Sequence, residues 1–128
     1  MTSGKLLDTN AVAALFNQDT VLKNALGDTR LLVPAPVVGE LYFGAYNSGR
    51  VAHNITQLER FLVQNEVLVC TSETGKVYGQ IKFQLKTKGR PIPENDIWIA
   101  AIAIQHGLAL VTRDAHFNII DNLALESW

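Results

Sequence analysis

Short apolar runs alternate along this chain with longer segments of helical periodicity. The apolar runs predict strands at residues 5–7, 31–33, 67–70, 108–112 and 123–125. Apolar side chains that recur every three or four positions predict helices at residues 10–16, 20–26, 37–46, 52–64, 72–86 and 95–106. Pro34 should stop the second strand and Gly107 should end the last helix. Residues 87–93 are predicted to form a loop, and residues 114–117 a tight turn.

This alternation of strands and helices predicts an α/β fold. Right-handed crossovers between successive strands would give a three-layer α/β/α sandwich with a mainly parallel central sheet. The runs at 31–33 and 67–70 lack polar alternation, which predicts strands buried on both faces. In sheets of this kind the ligand lies beyond the carboxyl ends of the strands, so the residues that follow each strand are the first candidates for chemistry.

Composition narrows the class of protein further. The chain has 128 residues, of which 48% are hydrophobic and 18% charged, and this predicts a single globular domain over residues 1–128. The apolar runs are too short to span a bilayer, and residues 1–8 lack the features of a signal peptide. With Cys70 as its one cysteine, the chain is expected in the cytoplasm without a disulfide. The net charge of −1 excludes a general nucleic-acid-coating protein, so a polyanionic substrate would need local metal ions or a basic patch.

Two acids follow predicted strands, and both should point to the carboxyl edge of the sheet. Asp8 comes directly after the first strand, and Asp114 lies two residues after the strand that ends at Thr112. A turn or capping role is the alternative for each of them, since aspartate is common at both kinds of position.

Two other acids lie on helix faces that are otherwise apolar. Glu40 shares a face with Val37 and Leu41, and burial there would require a partner such as a metal or a hydrogen-bond donor. Asp96 lies in the first turn of the most apolar helix, where the helix dipole alone is an alternative explanation. Glu40 could instead pair with an arginine, either Arg30 or Arg50.

The four acids together favour a metal site. Carboxylates that meet at one sheet edge would repel one another at neutral pH, and a divalent cation removes that repulsion. A cluster with oxygen ligands alone, without histidine or cysteine, points to Mg²⁺ or Mn²⁺ rather than zinc. Such a cation can activate water and polarise a phosphate, which makes phosphoester hydrolysis the chemistry to expect.

Several segments resemble the PIN-domain nucleases, and among them the toxin ribonucleases of bacterial VapBC-type toxin–antitoxin pairs. The matching segments, in order along almost the whole chain, are Leu7-Asp8-Thr9-Asn10, Val38-Gly39-Glu40-Leu41, Pro93-Glu94-Asn95-Asp96-Ile97-Trp98-Ile99-Ala100-Ala101, Leu110-Val111-Thr112-Arg113-Asp114-Ala115-His116-Phe117 and the closing Leu123-Ala124-Leu125-Glu126-Ser127-Trp128. Each motif alone is weak or moderate, whereas their order and spacing make the match specific.

The resemblance implies a metal-dependent endoribonuclease that is held inactive by an antitoxin and forms a homodimer. It implies Mg²⁺ or Mn²⁺ as cofactor and RNA as substrate. It also implies that Asp8, Glu40, Asp96 and Asp114 are metal ligands and catalytic acids, with Asp8 and Asp96 as direct ligands. Thr112 and Asn10 would be supporting polar residues.

Other polar residues have two interpretations each. The basic residues Lys82, Lys86, Lys88 and Arg90 could contact an RNA backbone, or could form a solvated helix end favoured by the dipole. His53, His106 and His116 are scattered, and their spacing predicts no shared metal site. Glu94 is expected to be a first-turn helix residue rather than an additional site acid.

Three other classes of protein compete with a nuclease. An aspartyl-phosphate phosphatase would need an acid two residues after Asp8, where this chain has Asn10. A phospho-accepting receiver domain would need an aspartate after the third strand, where Cys70 and Thr71 stand. A non-catalytic module that binds RNA or protein is argued against by the intact acids. A housekeeping nuclease without an antitoxin is a further alternative.

Overall fold

Five parallel strands form one sheet at the centre of the molecule. The computed structural model describes residues 3–128, so residues 1 and 2 at the start of the predicted domain lie outside the described part. The strands are β1 (Lys5–Leu7), β2 (Leu31–Pro34), β3 (Glu66–Leu68), β4 (Ala109–Val111) and β5 (Leu125–Glu126). Their order across the sheet is β3-β2-β1-β4-β5, and each neighbouring pair is parallel.

Six α-helices flank this sheet, which confirms the predicted α/β/α fold with a parallel sheet. They are α1 (Thr9–Phe16), α2 (Thr20–Leu26), α3 (Ala35–Tyr46), α4 (Val51–Gln64), α5 (Ser72–Lys88) and α6 (Glu94–His106). A short 3-10 helix (Ala115–Ile119) follows β4. Among residues 3–128, no helix combines the length and the apolarity needed to cross a membrane.

The core lies between the central strands and α6. Leu6 and Leu7 of β1 have no exposed surface, and six of the thirteen residues of α6 are buried. A helix that is apolar on most of its circumference must pack inside the molecule. The buried β1 and α6 therefore hold the residues at their ends, Asp8 and Asp96, in fixed positions.

The structure corrects the predicted extent of several elements. The segment 67–70 was predicted to be buried on both faces, but β3 ends at Leu68, and Val69 and Cys70 are exposed. The physical reason is that β3 lies at the edge of the sheet, where it pairs with β2 alone. The last strand begins at Leu125 rather than at residue 123. The loop predicted at residues 87–93 begins two residues later than predicted, because α5 continues to Lys88.

Candidate metal centre at the carboxyl edge of the sheet

Asp8 lies at the carboxyl end of the central strand β1 and is nearly fully buried. Its Oδ1 accepts a hydrogen bond of 2.8 Å from the Thr9 amide, so Asp8 caps the N-terminus of α1. Its Oδ2 accepts a bond of 2.7 Å from the Thr112 hydroxyl. The capping role considered as an alternative is therefore real, and it coexists with a position at the sheet edge where a ligand would bind.

Asp114 begins the 3-10 helix after β4. Its Oδ1 accepts a bond of 2.9 Å from the His116 amide, and its own amide donates to the Thr112 hydroxyl at 3.0 Å. One hydroxyl thus donates to Asp8 and accepts from Asp114. Thr112 therefore links the ends of β1 and β4 through these two bonds.

Asp96 meets Asp114 through a residue that sequence reasoning missed. His116 Nδ1 is 3.2 Å from Asp96 Oδ2 and 3.1 Å from Asp114 Oδ1. Asp96, Asp114 and His116 each offer one ligand atom, and these atoms lie within 4.8 Å of one another. The prediction that no histidine belongs to the cluster was wrong for His116. The usable signal was its position two residues after Asp114, since an aspartate that caps a turn accepts the backbone amide two residues further on and so stays beside that residue.

Glu40 lies on α3, close to Asp8 but outside this group of three residues that could hold a metal ion. Its Oε2 accepts a bond of 2.6 Å from the Thr9 hydroxyl, and its Oε1 accepts from the Asn95 side-chain amide. The alternative pairing with Arg30 is not found, because the Arg30 guanidinium bonds Glu66 at 2.6 Å. Polar donors from α1 and α6 hold Glu40 in place of an arginine.

Burial and mutual repulsion act on the acids together. Burial raises the pKa of Asp8 above its ordinary value, against the hydrogen bonds from Thr112 and Thr9, and the charges of Glu40 and Asp114 raise it further. Burial also raises the pKa of Asp96, against the contact with His116, and the charges of Asp8 and Asp114 add to the rise. Glu40 and Asp114 thus lie close enough to act on the buried acids, and the negative charge of Asp8 and of Asp96 is disfavoured by burial and by neighbouring acids.

Asn10 and Arg113 hold the loop after β4 rather than the acids. Asn10 Oδ1 accepts a long bond of 3.4 Å from the Arg113 amide. The Arg113 guanidinium donates to the Trp128 carbonyl at 2.9 Å and lies 4.3 Å over the Trp128 ring. Asn10 therefore contacts the backbone of this loop rather than an acid, and its supporting role stays a prediction, while the Arg113 guanidinium faces Trp128.

The basic stretch from Lys82 to Arg90 contains two residues that form ion pairs and two others that line a groove. Lys82 pairs with Glu94, which also accepts from the Tyr78 hydroxyl, and Lys88 bonds Asp121 at 2.7 Å. Within residues 3–128, no ion pair involves Lys86 or Arg90. These two side chains line a groove of about 360 Å³ that reaches Ile97 in the first turns of α6, which also carry Asp96.

Comparisons with known proteins place the chain in a family. The sequence model of the PIN domain matches residues 5–123. Ribonuclease VapC2 of Rickettsia felis is 30% identical, with 96% of each chain covered. The crystal structure of VapBC2 from Rickettsia felis bound to a promoter DNA fragment superposes with a TM-score of 0.89 at 30% identity, covering 97% of this chain and 98% of that chain. DNA-bound VapBC from Salmonella typhimurium gives a TM-score of 0.88 at 28% identity, with 99% of each chain covered. The predicted resemblance is confirmed, and the chain belongs to the PIN domain family, among the relatives of the VapC ribonucleases.

Proposed function

We propose that this protein is a divalent-metal-dependent endoribonuclease whose acidic residues are Asp8, Glu40, Asp96 and Asp114. The observation that carries the proposal is that the carboxylates of Asp96 and Asp114 lie within ligand-sharing distance at the carboxyl edge of a parallel sheet. Membership of the PIN domain family and similarity to a VapC ribonuclease support RNA as the substrate.

The residues present fit Mg²⁺ or Mn²⁺. Asp96 and Asp114 offer oxygen ligands, and the buried Asp8 adds negative charge close to both of them. Hard divalent cations prefer such oxygens, and a cation would relieve the burial and repulsion that raise the pKa values of Asp8 and Asp96. A bound cation supplies Lewis-acid polarisation of a phosphate and activation of water.

The chain's own residues orient the acids for this chemistry. Thr112 fixes Asp8 through its hydroxyl and Asp114 through its amide, so a single side chain sets the spacing of two acids. Thr9 and Asn95 orient both oxygens of Glu40, which leaves Glu40 beside Asp8 rather than among the three closest ligands. Asp96 and Asp114 would hold the cation, Asp8 would complete its charge balance, and Glu40 would orient water or substrate next to Asp8.

The same proposal includes a toxin role with an antitoxin partner, in the cytoplasm and as a homodimer. The solved VapBC structures named above support the antitoxin partner. The exposed aromatic residues Phe43 and Tyr46 on α3 offer apolar surface that a protein partner would cover.

The deciding experiment incubates purified protein with tRNA and mRNA in the presence of Mg²⁺ or Mn²⁺. Wild-type protein should cleave RNA, and Asp96→Asn should lose at least about a hundredfold in rate because it weakens both charge and ligation at the cation. Asp28→Asn is the matched control, since Asp28 is an exposed acid outside the site, and it should cleave like wild type. Equal cleavage by wild type and Asp96→Asn would overturn the mechanism.

The absence of cleavage in every RNA would favour the non-catalytic binding module instead. The toxin role is tested with the same variants in a bacterial host. Induced wild-type protein should arrest growth, whereas Asp96→Asn should not. Growth arrest by both proteins would show that toxicity does not depend on Asp96. Growth arrest by neither protein would favour a housekeeping nuclease.

A further inference from the structure

His116 is placed between two acids of the proposed metal centre. Its ring Nδ1 approaches Asp96 Oδ2 at 3.2 Å and Asp114 Oδ1 at 3.1 Å. Neighbouring ligands of a six-coordinate cation, each about 2.1 Å from the ion and at right angles to one another, are about 3.0 Å apart. Each of the two oxygens therefore already lies at the spacing of a neighbouring ligand from the nitrogen, and the three ligand atoms all lie within 4.8 Å of one another.

The position of His116 is fixed by the same local structure that fixes Asp114. The His116 amide donates to Asp114 Oδ1 at 2.9 Å, which closes the first turn of the 3-10 helix. The next residue, Phe117, is fully buried and anchors this turn in the core. The imidazole itself is about half exposed. It can therefore give up its contact with a carboxylate and bind a cation without any movement of the turn.

We infer that His116 is a nitrogen ligand of the metal centre and that it makes the site prefer Mn²⁺ to Mg²⁺. The inference rests on the proposed metal-dependent function and deepens it. Mg²⁺ binds oxygen ligands and retains its waters, whereas neutral imidazole is a good ligand for divalent transition metals. A site with two carboxylates and one imidazole should therefore bind Mn²⁺ more tightly than Mg²⁺, whereas a site of carboxylates alone would bind the two cations with similar affinity.

Two measurements on the whole protein test this inference. Pulsed electron paramagnetic resonance of bound Mn²⁺ should show nitrogen hyperfine coupling in wild type, and this coupling should disappear in His116→Asn. Calorimetric titration should show that His116→Asn weakens Mn²⁺ binding by about tenfold or more, the scale of effect seen when a metal site loses a supporting group. Mg²⁺ binding should change by less than about threefold, because Mg²⁺ gains little from a nitrogen ligand.

His53→Asn is the matched control, since His53 is an exposed histidine on α4 outside the site, and it should leave both affinities unchanged. Wild-type Mn²⁺ spectra without nitrogen coupling would overturn the inference without reliance on any variant. An equal loss of Mg²⁺ and Mn²⁺ affinity in His116→Asn would also overturn it, because His116 would then act only by hydrogen bonds to the carboxylates.

The outcomes are separable from those of the proposed function. Nitrogen-coupled Mn²⁺ in a protein that leaves all RNA intact would defeat the ribonuclease proposal and retain the ligand assignment. Cleavage of RNA by a protein whose Mn²⁺ shows no nitrogen coupling would retain the ribonuclease proposal and defeat the ligand assignment.

Discussion

Asp8 combines a structural contact with an energetic cost. It caps α1 and accepts the Thr112 hydroxyl, yet burial raises its pKa above the ordinary value of 3.8. The folded protein therefore keeps a proton on Asp8 to higher pH than the unfolded chain does. The metal-free free energy of unfolding should then fall as pH rises above about 4 and through the raised pKa, because the unfolded state loses its proton first.

Asp8→Asn should stabilise the metal-free protein at pH 7. In Asp8→Asn the amide oxygen can keep the bond from the Thr9 amide, the amide nitrogen can donate to the Thr112 hydroxyl oxygen, and the buried charge is removed. We expect a gain of about 0.5–2 kcal/mol in the free energy of unfolding, the range usual when a residue kept for function is replaced. Urea denaturation in EDTA at several pH values measures this gain, which should shrink as pH falls below about 4, because Asp8 then takes up a proton in the unfolded state as well.

Asp19→Asn is the control with the opposite sign. Asp19 also caps a helix, but its pKa is lowered, chiefly by the bond from the Leu22 amide. Its carboxylate contributes stability above the unfolded pKa, and this contribution is lost as pH falls through the lowered value. Asp19→Asn should therefore be less stable than wild type at pH 7. If Asp8→Asn were destabilised in the same way, the hydrogen bonds of Asp8 would outweigh its burial.

At the level of single residues, sequence patterns located the acids better than their partners. Asp8 and Asp114 follow strands and Asp96 lies on a buried helix face, so simple geometry placed them at one edge. The hydrogen bond between Asn95 and Glu40 joins residues that are 55 positions apart, and no local pattern encodes it. His116 was missed because Asp96, whose carboxylate its ring contacts, is 20 positions away, although Asp114 lies only two residues before it as the cap of the 3-10 helix.

At the level of elements, the centre of the sheet was predictable and its edges were not. β1 and β2 are apolar runs that each pair with a strand on both sides, so burial and sequence pattern agree. β3 and β5 each pair on one side only, and their ends depend on where backbone hydrogen bonds stop. Val69 continues the apolar run beyond β3 but is 60% exposed, so apolarity alone extended that prediction too far.

The start of β1 depends on Gly4, and this dependence can be tested. Gly4 has φ +120°, and a Cβ there would lie 2.4 Å from the Arg30 carbonyl oxygen, the atom that accepts the Lys5 amide. Gly4→Ala should lower the free energy of unfolding by at least about 1–3 kcal/mol, the usual cost of such a backbone conformation. Thermal unfolding measures it, and a weaker metal affinity should follow because β1 positions Asp8.

Gly39→Ala provides the same chemical change at a permissive position. Gly39 lies within α3, and an added Cβ would meet no atom within 4 Å. Alanine is the better helix former, so this variant should be stabilised by roughly 0.5–1 kcal/mol. A Gly4→Ala protein as stable as wild type would show that β1 tolerates a shift away from Arg30.

At the level of the whole molecule, charge is balanced but unevenly placed. The net charge is −1, and the acids gather at the carboxyl edge of the sheet. An RNA strand that approaches those acids therefore needs cations on the protein as well as in the metal centre. Lys86 and Arg90 are the candidates for this role in the groove beside α6, since neither takes part in an ion pair within the described residues.

Replacing Lys86 and Arg90 together by glutamine should weaken RNA binding in a salt-dependent way. The loss of two phosphate contacts to single-stranded RNA should reduce the slope of log affinity against log salt by about 1.4. Binding is best measured in Asp96→Asn, which should leave the RNA uncut. A double variant of Lys23 and Lys76, exposed lysines outside the groove, removes the same charge and should keep the slope. An equal change in both double variants would show that net charge, and not the groove, attracts the RNA.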